Sequence, residues 1–318
     1  QRQMCIRDRY YSGTVLNNFG GNMKFLKTTS IASFIFFLSF GFNANSQELH
    51  GILCGGEIRQ ADMDVAAEFE SANPGVTIKW EAVPWGTCQD KVINLAIAGD
   101  PVDLAYVGSR TLKGLAENGH IINVDIPQSQ IGMYQPGILN TVSHLGKVWG
   151  YPRAFSTKAL FMNCDLLEQA GVACEGPQTW DELYTMAEAV TNNVPGVAGI
   201  GLTGKDFDNT MHQFLNYLYS NGGQVIDPDT NTITLNSSNT VEALAFYGKL
   251  ANVAQEGPLA YERSQLRDLL NDNKIAMYID GPWGRGTHNE DLNMKTVRIP
   301  AGPQGQQGTL LITDSIAV

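Results

Sequence analysis

The 318-residue sequence is poor in basic residues, with 21 Lys and Arg against 32 Asp and Glu. The resulting formal net charge of -11 argues against nucleic acid as a partner, because neutralising phosphates requires a basic surface. The 5 His are scattered and the 5 Cys form no C-x-x-C pair, which argues against a zinc site. We therefore expect a protein without a metal or cofactor and without nucleic acid as a partner.

Catalytic motifs are also missing from the sequence. It has no nucleophile elbow, no H-E-x-x-H string, no P-loop and no EF-hand loop. Residues 199–204 match G-x-G-x-x-G, but the next predicted helix starts only near Asp208, too late for a dinucleotide site. We interpret this string as a strand end followed by a turn. The protein is therefore predicted not to be an enzyme. A secreted glycosidase remains an alternative, because spacing alone does not reveal a carboxylate pair across a cleft.

The long apolar run of the chain lies near its N-terminus. Met23, the basic Lys24 and Lys27, an apolar stretch over residues 31–42 and a small-x-small ending at Ser46 are typical of a secretory signal peptide. The run is shorter than the roughly 20 residues that span a bilayer. We expect a signal peptide over residues 23–46, a periplasmic product and no lipid anchor. Residues 1–22 resemble translated adapter sequence, and we expect them to be an assembly artefact.

Four cysteines follow the predicted cleavage site: Cys54, Cys88, Cys164 and Cys174. An even number in an oxidising compartment indicates disulfides, and four cysteines allow three connectivities. Each half of the processed chain holds one sequential pair, which favours Cys54–Cys88 and Cys164–Cys174. Metal binding is the alternative that the scattered histidines disfavour.

Strand and helix patterns alternate for most of the chain, which predicts an α/β fold, and the length favours two domains. Strands are predicted at residues 49–53, 76–81, 104–107, 159–162, 233–235 and 275–279. Helices are predicted at residues 61–71, 88–98, 111–118, 180–191, 208–220, 238–254 and 266–270. Thr179 is the predicted N-cap of the helix at 180–191, with Glu182 placed as in a capping box. Residues 300–308 are expected to form a surface loop.

Five aromatic residues lie near turns or strand ends beside Gly or Pro: Trp85, Trp149, Tyr151, Phe155 and Trp283. Such positions favour exposure at the rim of a cleft, although burial in the core is the alternative for each of them. Aromatic rings with a few polar groups suit a sugar, because its C–H face packs on the ring while its hydroxyls form hydrogen bonds. Trp283, in the turn over residues 280–284, is the strongest candidate for a ligand contact.

Seven short segments follow one another in a characteristic order: residues 69–76, 99–103, 159–165, 177–183, 220–223, 273–278 and 280–283. Together they resemble the extracellular solute-binding proteins of sugar-type ABC importers, the family that includes maltose-binding protein. The resemblance implies a two-lobe periplasmic-binding-protein fold of type II, with a sugar clamped between lobes that hinge strands join. It also implies a monomer that delivers the sugar to permease subunits in the inner membrane.

The resemblance further implies how the chain divides between the lobes. Residues 47–153 and 262–318 would form the N-lobe, and residues 154–261 the C-lobe. The chain would cross between lobes near residues 153–156 and 259–261, with a third crossing after Ser315. Since relatives continue well beyond this point, we expect a C-terminally truncated chain that lacks the last helices of the C-lobe.

The resemblance also implies eight ligand-binding residues: Glu57, Arg59, Ser109, Arg110, Arg153, Ser156, His212 and Trp283. Trp85, from the aromatic set, is the ninth candidate. Trp283 fills the position that stacks on the sugar in relatives. The arginines leave three ligand classes open: an acidic sugar, a phosphorylated polyol such as glycerol phosphate, or a neutral sugar held by bidentate contacts. For Arg153, a structural salt bridge at the hinge is the alternative.

Overall fold

The computed structural model describes residues 46–227 and 229–318, which belong to one compact unit built on two sheets. The expected artefact segment and nearly all of the expected signal peptide lie outside the described residues. Among the residues that are described, none of the helices has the length and apolar character needed to cross a membrane.

The first lobe contains a five-stranded sheet in the order β2-β1-β3-β13-β6. Its strands are β1 (Gln47–Cys54), β2 (Val76–Val83), β3 (Leu104–Gly108), β6 (Tyr151–Ser156) and β13 (Ile312–Ala317), and a small hairpin pairs β4 (Ser143–His144) with β5 (Lys147–Val148). Its helices are α1 (Gln60–Ala72), α2 (Trp85–Ala98), α3 (Ser109–Glu117), α4 (Gln128–Ile131) and α5 (Pro136–Val142). Strand β1 runs parallel to β2 and β3, whereas β13 runs antiparallel to β3 and β6. Loops at the carboxyl ends of β1 and β3 therefore meet at one edge of the sheet.

The second lobe contains a four-stranded sheet in the order β12-β7-β11-β8. Its strands are β7 (Ala159–Asn163), β8 (Ala198–Ile200), β11 (Ile275–Asp280) and β12 (Met294–Val297), and a separate hairpin joins β9 (Ile226–Asp227) to β10 (Thr232–Ile233). Its helices are α6 (Cys164–Gln169), α7 (Trp180–Asn193), α8 (Asp208–Ser220), α9 (Ser238–Leu250) and α10 (Arg263–Asn271). All six residues of β11 are buried, and its apolar side chains contribute to two core clusters.

The structure confirms the predicted N-cap of α7 and the interpretation of the glycine-rich string. The side chain of Thr179 caps α7 by accepting a hydrogen bond from the Glu182 amide (3.3 Å), while the Glu182 carboxylate accepts from the Gln178 amide (2.6 Å). The glycine-rich string at residues 199–204 begins inside β8 and continues as an irregular turn, as interpreted from the sequence. A Cβ on Gly199 would overlap the backbone of Ala187, so this glycine allows α7 to pack closely on β8.

Both predicted disulfides are confirmed. Cys54 at the end of β1 is bonded to Cys88 in α2, with their Cα atoms 5.5 Å apart. Cys164 at the start of α6 is bonded to Cys174 in the following loop, with a Cα separation of 5.1 Å. Each bridge lies within one lobe, so neither bond restricts movement of one lobe against the other.

The strand pairing differs from the expected division of the chain. The first crossing, at residues 157–158, directly follows the expected position. The second crossing is at residues 309–311, because β11 and β12 both pair with β7 and so keep residues 275–297 in the second lobe. Residues 259–261 lie within that lobe, where the carbonyl of Tyr261 accepts hydrogen bonds from Gly204 and Lys205. Ser315, expected just before a third crossing, lies within β13.

Candidate functional site

A cavity of about 360 Å³ lies between the two lobes. The first lobe lines it with Cys54, Gly55, Trp85, Tyr106, Ser156, Ile312 and Asp314, the second lobe with Asn209, His212, Arg263 and Trp283, and the first crossing with Lys158. A smaller adjoining cavity of about 140 Å³ shares Trp85, His212, Ile312 and Asp314 with it and also contacts Ser109 and Arg110. The shared residues make the two cavities neighbouring parts of one cleft.

Two tryptophans contribute aromatic surface to this cleft from opposite lobes. Trp85 begins α2 and packs edge-on against Tyr106, with ring centroids 5.8 Å apart. The Cys54–Cys88 disulfide ties the first turn of α2 to β1 and so holds Trp85 at the cleft. Trp283 lies in the 3₁₀ turn Pro282–Gly286, directly after β11, and is 39% exposed. The cleft therefore presents an indole on each side.

A buried carboxylate fixes the position of Trp283. Asp280, the last residue of β11, has no exposed surface. Its Oδ1 accepts from the Trp283 indole N–H (2.7 Å) and from an Arg263 guanidinium N–H (2.8 Å), and its Oδ2 accepts from the Tyr278 hydroxyl (2.7 Å). A fully buried charge is tolerated when it is paired and hydrogen-bonded in this way. Burial and the Asp280 charge raise the pKa of Tyr278, so this hydroxyl remains a donor.

Lys158 carries a buried ammonium group at the cavity. The residue is 6% exposed, and its Nζ lies 4.0 Å from the centroid of the Trp283 ring. Within the described residues it forms no salt bridge, in contrast to Arg263, which pairs with Asp280. Burial, together with the Arg263 charge, lowers the pKa of Lys158 to about 7. The ammonium is therefore held beside an aromatic ring, and no carboxylate of residues 46–227 and 229–318 pairs with it.

Asp314 is the counterpart of Lys158 on the first lobe. It lies in β13, and its Oδ2 accepts a hydrogen bond from the Tyr106 hydroxyl (3.0 Å). Its Oδ1 is buried and lacks a hydrogen-bond partner among the residues that the structure describes. Burial raises the pKa of Asp314 to about 6, although the Tyr106 hydroxyl opposes this shift. An oxygen in this state can accept a hydrogen bond from a ligand.

An ion pair connects the lobes at the edge of the smaller cavity. The Arg110 Nε of α3 lies 2.7 Å from Oδ1 of Asp208 in α8, and the His212 Nε2 lies 3.6 Å from the same oxygen. Burial lowers the pKa of His212 to about 4, so its imidazole is neutral at pH 7. Arg110 therefore supplies the cation that neutralises Asp208.

The structure brings six of the nine candidate ligand-binding residues to the cleft. Trp85, Ser156, His212 and Trp283 line the larger cavity, and Ser109 and Arg110 the smaller one. Glu57 and Arg59 are exposed and line neither.

Arg153 also lies away from both cavities, where it donates to the Asp62 carboxylate, and its guanidinium carbon lies 5.0 Å from the Tyr106 ring centroid. Asp62 also lies near Arg59, whose Nε is 3.9 Å from its Oδ2. This placement matches the salt-bridge alternative for Arg153.

The other turn aromatics do not line either cavity. Trp149 packs against the first-lobe core and donates its indole N–H to the His144 carbonyl (2.9 Å), and the Tyr151 hydroxyl donates to the Asp125 carbonyl. Phe155 is 60% exposed on β6. For Trp149, the core alternative is therefore correct.

Five polar residues that line the larger cavity were not among the candidates from sequence: Tyr106, Lys158, Asn209, Arg263 and Asp314. Alternation could have indicated Lys158, which lies two residues after Ser156 in an extended segment. No comparable signal identifies Asp314, because its position depends on the register of β13 against β3. Within the described part of the chain, no group of three or more His, Cys, Asp or Glu residues could hold a metal ion.

The family model that matches this chain and its curated relatives in Brucella abortus and Bacillus subtilis are all described as binding proteins. The family model described as bacterial extracellular solute-binding protein matches residues 55–318. A putative binding protein of Brucella abortus is 30% identical over 260 residues, which cover 80% of this chain and 62% of that protein. The maltodextrin-binding protein of Bacillus subtilis is 27% identical over 219 residues, covering 66% of this chain and 50% of that protein. The chain thus spans between half and two thirds of the length of these relatives.

Solved structures share the fold. An ABC transporter solute-binding protein from Thermotoga lettingae, bound with alpha-D-tagatose, has a TM-score of 0.76 and 24% identity, covering 86% of this chain and 72% of that chain. The GacH receptor of Streptomyces glaucescens, described without ligand and in complex with acarbose, has a TM-score of 0.70 and 25% identity, covering 86% and 71%. Both likenesses support the two-lobe architecture.

Proposed function

We propose that this chain, which belongs to the bacterial extracellular solute-binding proteins, captures a sugar between its two lobes and delivers it to the permease subunits of an ABC importer. The observation that carries the proposal is the cleft itself. Trp85 and Trp283 face a cavity of about 360 Å³ from opposite lobes, and charged or polar side chains lie between them. This combination suits a ligand with apolar C–H faces and many hydroxyls.

The proposed capture works through closure of the lobes. A ligand that contacts both lobes only in the closed form shifts the population towards that form. Bending can occur at the two crossings, residues 157–158 and 309–311, which hydrogen bonds between Lys158 and Thr309 hold side by side. We expect a dissociation constant near micromolar, equivalent to about -8 kcal/mol. The family is extracellular, and we place this protein in the periplasm as a monomer.

Glycerol phosphate and similar esters are less well supported than a sugar. The arginines that left this alternative open each lie beside an aspartate: Arg110 beside Asp208, and Arg59 and Arg153 beside Asp62. Arg59 and Arg153 line neither cavity, and Asp208 balances the charge of Arg110, which leaves less net positive charge at the cleft for a phosphate. The relatives also favour a sugar, since two of those described above are named for or bound with one.

The proposal is tested by a binding screen on the purified chain with neutral mono- and oligosaccharides, sugar acids and glycerol phosphate. Thermal unfolding identifies the ligands, and calorimetry measures their affinity. We expect one sugar class to raise the free energy of unfolding by about 2.7 kcal/mol at a concentration of 100 Kd.

Chromatography of the recovered ligand separates this proposal from a glycosidase. A binding protein returns the sugar unchanged, whereas a glycosidase releases shorter products from an oligosaccharide. Turnover, or a screen in which only glycerol phosphate binds, would contradict the proposed function.

A further inference from the structure

Resting on the proposed sugar capture, we infer that the ligand is an uncharged sugar whose hydroxyls bridge Lys158 and Asp314, two oppositely charged groups of the cavity lining. Asp314 belongs to the first lobe, and Lys158 lies in the first crossing and packs on Trp283 of the second lobe. Lys158 would donate to a hydroxyl oxygen, and Asp314 would accept a hydroxyl proton. These residues would select a neutral sugar over an acidic or phosphorylated one.

Lys158 has a free hydrogen-bonding capacity that the protein does not satisfy with a carboxylate. Its ammonium carries three N–H donors, and the described contact of this group is with the face of Trp283. An ammonium buried to this extent is costly unless a polar partner compensates for the lost water. A sugar that packs in the same cavity as Trp283 would bring hydroxyl oxygens within reach of Lys158.

Asp314 offers the matching acceptor. The Tyr106 hydroxyl occupies its Oδ2, whereas Oδ1 is buried without a described partner. Because β13 directly follows the second crossing, Asp314 belongs to the first lobe, while Lys158 packs on Trp283 of the second. A ligand bound to both groups therefore connects the first lobe to the crossing residue that packs on the second lobe.

The charge balance of the cleft favours an uncharged ligand. Arg263 is paired with Asp280, and Arg110 with Asp208, so each of these arginines is neutralised by its own aspartate. Among the described Lys, Arg, Asp and Glu residues that line the two cavities, only Lys158 and Asp314 lack a salt bridge, and their charges are of opposite sign and cancel. An acidic sugar would bring an anion towards the Asp314 carboxylate, whereas a hydroxyl can serve both groups because it donates and accepts.

The proposed affinity depends on pH because it requires a protonated Lys158 and a deprotonated Asp314. The charged or titratable groups near Lys158 are Arg263 on α10, Asp280 on β11, Asp208 and His212 on α8, and Asp314 on β13. Those near Asp314 are Tyr106 on β3, Arg153 on β6, Asp208 and Lys158. The pKa of Asp314 is about 6 and that of Lys158 about 7 in the free protein. Affinity should therefore be highest between these values. It falls at lower pH as Asp314 gains a proton, and at higher pH as Lys158 loses one.

The test is calorimetry from about pH 5 to about pH 8.5, with a neutral sugar, the corresponding uronic acid and the corresponding sugar phosphate as ligands. We expect the neutral sugar to bind best, with a bell-shaped dependence of affinity on pH. Lys158→Met and Asp314→Asn should each weaken binding by about ten-fold or more near the optimum. Lys158→Met should remove the fall at high pH, and Asp314→Asn the fall at low pH.

Matched control variants remove the same charges from the exposed surface of the first lobe: Lys79→Met and Asp64→Asn. Both should bind with unchanged affinity. Tighter binding of the uronic acid or the phosphate would overturn the inference and leave sugar capture standing, and so would a flat pH profile of the unaltered protein. Absence of binding by all three ligands, after the full screen, would contradict the proposed function itself.

Discussion

Lys158 illustrates how a side chain suited to binding can weaken the fold. Its ordinary pKa of 10.5 falls to about 7 because burial disfavours the ammonium. The folded state therefore binds this proton less tightly than the unfolded state does. The free energy of unfolding decreases as the pH falls from about 10.5 to about 7, and the loss is largest below pH 7.

Lys158→Met should consequently stabilise the protein while it impairs ligand binding. Methionine retains an apolar contact with Trp283 without a buried charge, and we expect a gain of about 2 kcal/mol at neutral pH that vanishes near pH 10. Urea unfolding at both pH values measures the gain. The exposed control Lys79→Met should change stability little at either pH. Equal stability of Lys158→Met and the unaltered protein at neutral pH would refute the proposed cost of burying Lys158.

Single residues of the site were predictable from sequence to different degrees. Trp283 and both cysteine pairs could be identified because their signals are local: a turn that holds an aromatic residue, and sequential cysteines in an exported chain. Asp314 could not be identified, since its place beside Tyr106 results from pairing between strands more than 200 residues apart in sequence. Arg59 and Arg153 are candidate ligand contacts from sequence, which leaves a salt bridge open for Arg153 but does not show that both arginines lie beside Asp62.

At the scale of elements, α3 of the first lobe and α8 of the second meet through Arg110 and Asp208. Because this ion pair forms between the lobes, we predict that Arg110 favours the closed form and does not contact the ligand. Because Arg110 is half exposed, the contribution is small and screened by salt. The sequence interpretation, by contrast, makes Arg110 a ligand contact.

Charge reversal distinguishes the two roles of Arg110. Arg110→Ala should weaken sugar binding about three-fold at low salt and less at high salt. The double variant Arg110→Asp with Asp208→Arg should restore affinity if the pair acts between the lobes. The control Lys295→Ala removes a salt bridge with Glu175 that lies within one lobe, and affinity should not change. A double variant as weak as Arg110→Ala would instead support direct contact between Arg110 and the ligand.

The order of the elements was largely predictable, but the division between the lobes was not. Hydrophobic periodicity and capping residues located the main helices, including α8 at the predicted residues 208–220. Which sheet receives a strand depends on distant pairing, and nothing local indicates that β11 and β12 join β7. The boundary near residues 259–261 came from the family resemblance, and the structure places the second crossing about 50 residues later.

At the scale of the molecule, residues 46–227 and 229–318 form two α/β lobes joined by two crossings, with the candidate site between the lobes. Lys158 belongs to the first crossing and also lines the larger cavity, and its backbone is hydrogen-bonded to Thr309 in the second crossing. Ligand binding at Lys158 is thus adjacent to the segment that must bend. Residues 55–318 match the family model, and the chain covers 62% of its Brucella abortus relative.

The measurement that tests sugar capture most directly is the distance between the lobes during a sugar titration. Cysteines that carry spin labels would replace two exposed residues, Lys113 on α3 and Lys205 just before α8. Cys5 would be changed to Ser so that only these two positions are labelled. Pulsed electron paramagnetic resonance would then measure the distance between the labels. Because α3 and α8 meet at the Arg110–Asp208 ion pair in this structure, the account predicts that sugar converts longer separations to a short one. The midpoint of this change should match the one found by calorimetry. Trp283→Ala should need about ten-fold more sugar, and the exposed control Phe155→Ala the same amount as the unaltered protein. A sugar that binds by calorimetry but leaves the distances unchanged would contradict capture between the lobes.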